Sequence, residues 1–92
     1  MSEPSTAGDV QPGAGQIKGL VELIAKALVD APDEVSVEAV DEGESTVLEL
    51  QVAPADMGRV IGRQGRTARA LRTILGAASV TLNRQFELEI LE

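Results

Sequence analysis

Apolar positions along the chain switch between a helical and an extended spacing, and each change of period marks an element. Ile17, Leu20, Val21, Ile24 and Leu28 recur at i, i+3, i+4, i+7 and i+11, the stripe of a helix that buries one face. This predicts a helix over residues 16–30, with Leu23 and Val29 off the stripe as a second apolar contact. Pro32 closes it, because proline disfavours helical geometry in the residue before it. Val35, Val37 and Ala39 then alternate with Ser36, Glu38 and Val40, and Thr46, Leu48, Leu50 and Val52 alternate with Val47, Glu49 and Gln51. Period 2 marks a half-buried strand. Residues 41–44 read as the turn that joins the two strands in an antiparallel hairpin.

Pro54 opens a short helix at a first-turn position, where its missing N–H costs nothing. Asp56 is placed to complement the positive end of that helix. The helix reaches residue 61 and is broken by Gly62. A longer helix is predicted over residues 66–78, and a last strand turns Phe86, Leu88 and Ile90 inward. The order is αββααβ, an α+β fold with helices on one face of a three-stranded sheet. Residues 1–15 are rich in Gly, Pro and Ser with few large apolar groups, so they are expected to be a disordered tail. The domain proper is then 16–92, about 77 residues, near the lower limit for a self-sufficient core.

Composition narrows the chemistry. The chain has no Cys, His, Trp or Tyr, and Phe86 is its single aromatic residue. Disulfides and thiolate ligation are excluded, as are the commonest general base and transition-metal ligand. No metal, cofactor or catalytic residue is expected. Nothing approaches the roughly 20 apolar residues of a membrane span, and no basic-then-apolar start suggests export, so a cytoplasmic address is expected. The net charge of −7 is unevenly spread. Residues 1–56 sum to −10, residues 57–84 carry six Arg and no acid, and the last eight add −3. A ligand near one face feels local rather than net charge. A solvated helix face paired with acids elsewhere would account equally for the charge alone.

The informative stretch is residues 56–75, D-M-G-R-V-I-G-R-Q-G-R-T-A-R-A-L-R-T-I-L. Gly62 and Gly65 sit three apart between two helices, where glycine lets another backbone approach. The unpaired N–H groups of the second helix point back at this loop and favour an anion. On that helix Ala68, Leu71, Ile74, Leu75 and Ala78 share one arc, and Arg66, Arg69 and Arg72 the opposite one. The loop is not a P-loop, since Arg66-Thr67 replaces the Lys-Ser/Thr pair. It is not a dinucleotide fingerprint, since Gly58, Gly62 and Gly65 have the wrong spacing and follow a helix. A bare G-x-x-G is weak alone; a tight helix corner would also explain it. Its setting between helices, among arginines, makes it specific.

The run V-A-P-A-D-M-G-R-V-I-G-R-Q-G-R-T-A-R-A-L-R-T-I-L-G-A-A closely resembles the KH-domain proteins of the KhpA family, and the resemblance extends over residues 17–92. It implies a type II KH fold and a stand-alone RNA-binding protein of the bacterial cytoplasm, acting as an RNA chaperone or post-transcriptional regulator. It also implies a larger KhpB-like KH partner and, in some bacteria, a link to cell elongation and envelope homeostasis. The family loop often carries Lys where this chain has Arg63, which keeps the charge and changes the head group.

KH modules clamp the backbone of about four nucleotides at the G-x-x-G loop and seat bases in an adjacent groove. Carried over, Gly62 and Gly65 permit approach, and the loop amides, Arg63 and Gln64 meet phosphates. Arg59, Arg66 and Arg69 add charge, and Ile61 and Val60 face an aliphatic groove with the edge of the second strand opposite. Core packing is the alternative for Ile61 and Val60, and a solvated or ion-paired role for Arg72 and Arg84. Without aromatic stacking, weak and loosely selective binding is expected. Two rivals stand beside this. One is a protein-interaction module whose basic ridge docks an acidic partner, with Leu23, Val29, Val80 or Leu82 giving apolar contact for a homodimer or a second KH protein. The other is an enzyme holding Mg²⁺ on Asp56 and Glu49.

Overall fold

The computed structural model describes residues 13–92, so most of the expected tail lies outside the described residues. Helix α1 spans Ala14–Leu28, opening two residues before the predicted 16 and closing two before the predicted 30. A short 3₁₀ turn, Pro32–Glu34, leads to strand β1, Ser36–Glu42, and β2, Ser45–Gln51. After a second 3₁₀ turn, Pro54–Asp56, come α2, Met57–Ile61, a third turn, Arg63–Gly65, then α3, Arg66–Leu82, and β3, Gln85–Ile90. The αββααβ order of the sequence reading is the order of the chain.

The sheet order is β1-β2-β3, with β1 antiparallel and β3 parallel to the central β2. Val37 pairs with Leu50, Leu48 with Leu88, and Thr46 with Phe86. These residues are buried beneath Val21 and Ala25 of α1, Val60 of α2, and Leu71 and Leu75 of α3. Burying a Leu side chain stabilises by about 2 kcal/mol, and Leu48, Leu50 and Leu75 are almost fully enclosed. The alternate face of the sheet is open. There Glu38, Glu49 and Glu89 lie side by side across the three strands, next to the row Val40, Val47, Glu87.

Three details differ from the pattern reading. The buried face of α1 is centred on Val21 and Ala25, leaving Leu20 exposed at the edge of the stripe, while Val29 packs against the core. Helix α3 runs four residues past 78. Asn83 then closes it in the left-handed region, φ 54°, with Arg84 N–H donating to Ser79 C=O (3.1 Å) and Asn83 N–H to Val80 C=O (3.4 Å). This is a Schellman closure, and asparagine tolerates its φ better than most residues. Ile74, assigned to the apolar arc, is 42% exposed, because the contact with the sheet is carried by Ala68, Leu71 and Leu75.

Candidate functional site

Asp56 sits at the start of α2 as expected, and its side chain makes no capping hydrogen bond there. It is buried, and its two carboxylate oxygens accept the backbone N–H groups of Asp30 (3.2 Å) and Ala31 (3.1 Å). Those are the amides just beyond the end of α1, which explains why the helix stops at Leu28. Arg59 joins the same knot, with Nη2 3.1 Å from Asp30 and Nε 3.8 Å from Asp56. Among the arginines expected at the loop, Arg59 thus already shares its charge with two carboxylates. The base of α2, and so the loop that follows, is anchored to α1.

Gly62 ends α2 at φ 80°, ψ 166°, a region essentially restricted to glycine. A Cβ there would also stand 2.8 Å from both Cβ and N of Thr67. Gln64 (φ 58°) and Gly65 (φ 73°) follow in the left-handed region. Gly65 N–H closes the turn on Gly62 C=O at 3.0 Å. No side chain caps the start of α3, and the first N–H groups of a helix find no acceptor within it. Donors are therefore gathered at the positive end of a 17-residue helix, which favours an anion there.

The charge around these donors is available. Arg63, Gln64 and Arg66 are exposed, and among the described residues Arg63, Arg66 and Arg69 have no carboxylate partner. Arg69 lies over Gly65, its Nη1 3.8 Å from where a Cβ would be. Arg84 behaves as expected of an ion-paired residue, bonded to Asp41, to Thr46 Oγ1 (2.6 Å) and to Ser45 C=O (3.2 Å). Arg72 is exposed, as expected of a solvated residue. Its Nη2 reaches across to Leu88 C=O at 3.4 Å, a contact that only the packing of α3 on β3 brings about.

A hollow of about 490 Å³ opens beside the loop, between Met57, Ile61, Gly65, Ala68, Arg69 and Arg72 on one side and Leu88, Glu89, Ile90 and Glu92 on the other. Ile61, 37% exposed, contributes to its floor, whereas Val60 is fully buried in the core. The opposite wall is β3. The second strand lies at the centre of the sheet with both edges paired, so it cannot supply the wall that was expected of it. A larger hollow of about 810 Å³ lies behind Met57 and Ile61, lined by Asp33, Glu34 and Glu92 with no arginine, whereas Arg69 and Arg72 offset Glu89 and Glu92 in the hollow beside the loop. The Mg²⁺ arrangement is not formed. The Asp56 carboxylate is engaged with backbone amides and Glu49 stands on the open face of the sheet.

A sequence profile described as the KH domain of KhpA/KhpB matches residues 18–90. The chain belongs to the KhpA/KhpB KH-domain family. Among curated relatives, the RNA-binding protein KhpA of Clostridium acetobutylicum is 55% identical over 75 residues, which is 82% of this chain and 100% of that one. Its counterpart in Halalkalibacterium halodurans, also named RNA-binding protein KhpA, is 53% identical over 76 residues, 83% of this chain and 100% of the relative. Among solved structures, Era of Aquifex aeolicus in complex with GDP and aluminium fluoride aligns with a TM-score of 0.58 at 17% identity. It covers 82% of this chain and 29% of its own, and the likeness is one of fold. The α+β architecture read from the sequence is that of the family, and the relatives' names are those of binding proteins rather than enzymes.

Proposed function

We propose that this chain binds single-stranded RNA at the loop Gly62-Arg63-Gln64-Gly65. The observation that carries the reading is the uncapped N-terminus of α3, preceded by the positive-φ turn at Gly62, Gln64 and Gly65 and flanked by the exposed Arg63, Arg66 and Arg69. Phosphates meet the loop amides and the guanidinium groups of Arg63, Arg66 and Arg69, which have no carboxylate partner among the described residues. Arg59 stands behind them with its charge shared, and Ile61 offers an apolar floor to a base. The relatives named as RNA-binding proteins support the same ligand. The finer role is that of an RNA chaperone or post-transcriptional regulator in the cytoplasm, acting with a KhpB-like KH protein and linked to cell elongation.

A second reading has its own observation. Leu23 is 67% exposed and Val80 84%, more apolar surface than the groove requires, which fits a homodimer or a partner KH protein docking away from the loop. The test of the main reading is fluorescence anisotropy with short single-stranded RNA across a salt series. Wild type should lose log affinity against log salt with a slope near −0.7 per phosphate contacted. Arg63→Asp with Gln64→Asp should abolish binding while circular dichroism stays unchanged. Undiminished binding by that variant would move the site elsewhere.

A further inference from the structure

The edge of β3 that faces α3 is not uniformly open. A parallel ladder bonds alternate residues of a strand to its neighbour and turns the intervening ones away. Gln85 N–H donates to Glu44 C=O at 3.3 Å and Leu91 N–H to Leu50 C=O at 2.8 Å, so the peptide groups of Phe86, Leu88 and Ile90 face the free edge. α3 meets two of them. Phe86 N–H donates to Ser79 Oγ at 2.9 Å, which fixes the end of α3 to the start of the strand. Leu88 C=O accepts from Arg72, and this second contact lies in the groove. Arg72 and Leu88 line both the hollow beside the loop and a smaller one of about 250 Å³ beyond, next to Leu75 and Phe86. Arg72 is thus a bridge across the trench.

We propose that Arg72 sets the base preference of this groove, by engaging the Leu88 carbonyl and presenting only donors, so that it favours uracil or guanine over cytosine or adenine. The inference rests on the reading that RNA is clamped at the loop and runs into this groove. Guanidinium carries five N–H donors and no acceptor. The strand-edge carbonyl that would accept a base amino group already accepts from Arg72, which leaves it one lone pair beside a positive charge, and the Leu88 N–H beside it is another donor. At pyrimidine position 4 or purine position 6, uracil and guanine bring a carbonyl oxygen to such a surface where cytosine and adenine bring an amino group, and it is that position the groove is inferred to read. A donor facing a donor leaves both unsatisfied, which selects against the amino bases. Arg72 has no carboxylate partner among the described residues, so its remaining N–H groups are not held by an ion pair.

The test compares oligouridine with oligocytidine of equal length, two pyrimidines that differ at the position in question. Anisotropy at fixed salt should show wild type favouring oligouridine. Arg72→Met, which keeps the aliphatic stem and frees the Leu88 carbonyl, should move the Kd ratio toward oligocytidine by about fivefold, the worth of one hydrogen bond. Arg72→Gln, which offers a donor and an acceptor, should bring the ratio close to equality. If wild type shows no preference, or if both variants weaken both oligonucleotides equally and the salt slope becomes shallower by about 0.7, Arg72 is a phosphate contact at most and the proposal fails. Loss of binding in the loop double variant with an unchanged ratio in Arg72→Met would sink the base preference alone. Wild-type binding by the loop variant would sink the RNA clamp with it.

Discussion

On the loop side of the molecule Gly62, Gln64 and Gly65 all have positive φ, and Arg63, Arg66 and Arg69 surround them. On the open face of the sheet no strand residue has positive φ, and Glu38, Glu49 and Glu89 stand in one row. The first surface depends on conformations few residues can hold, and it is anchored from behind by buried Asp56. The second is ordinary strand, tolerant of almost any polar residue, and its like charges repel across the ladder. The contrast teaches that the proposed binding surface and the open sheet face differ here in backbone before they differ in side chains. The acidic face also explains how a chain of net charge −7 can present a cationic site: phosphate is repelled from one side and attracted to the other, within a screening length of about 8 Å.

Substitutions should therefore cost much on one side and little on the other. Gly62→Ala meets both a glycine-only backbone conformation and Thr67, so urea unfolding should show a loss of about 3 kcal/mol. Asp56→Ala strands the amides of Asp30 and Ala31 and removes one carboxylate from Arg59. It should cost about 2 kcal/mol in the same measurement, with faster amide exchange at residues 30 and 31. Gly65→Ala needs only a left-handed φ, with room for its Cβ beside Arg69, and should cost about 1 kcal/mol, less as Gly65→Asn. On the opposite face Glu49→Gln removes the middle charge of the row. It should raise stability by about 0.5 kcal/mol at low salt, and the gain should fade as salt is added. A Glu49→Gln loss as large as that of Gly62→Ala would break the comparison.

Much of this was legible in the sequence because period and punctuation agreed. The alternation of Thr46, Leu48, Leu50 and Val52 gave β2 and its inner face, and Gly62 and Gly65 between helical stripes gave the loop. What stayed hidden depended on contacts between elements distant in the chain. Nothing near Asp56 signals that its carboxylate ends a helix 26 residues earlier. Alternation cannot say which strand is central, so the groove wall was assigned to β2 instead of β3. Val60 and Ile61 are adjacent and chemically alike, yet one is core and the other faces the groove, which only the angle of α2 decides. The end of α3 was overlooked for a different reason. The apolar stripe ends at Ala78, while the true closure is Asn83, a residue whose tolerance of left-handed φ was a usable signal.

The most direct test of the two-surface account is an amide chemical-shift titration with short single-stranded RNA. The account predicts that shifts concentrate at Arg63, Gln64, Arg66 and Thr67 and continue along Leu88 and Ile90, while Glu38, Glu49 and Glu87 stay unmoved. Shifts centred on the glutamate row or on α1, with the loop amides silent, would contradict it.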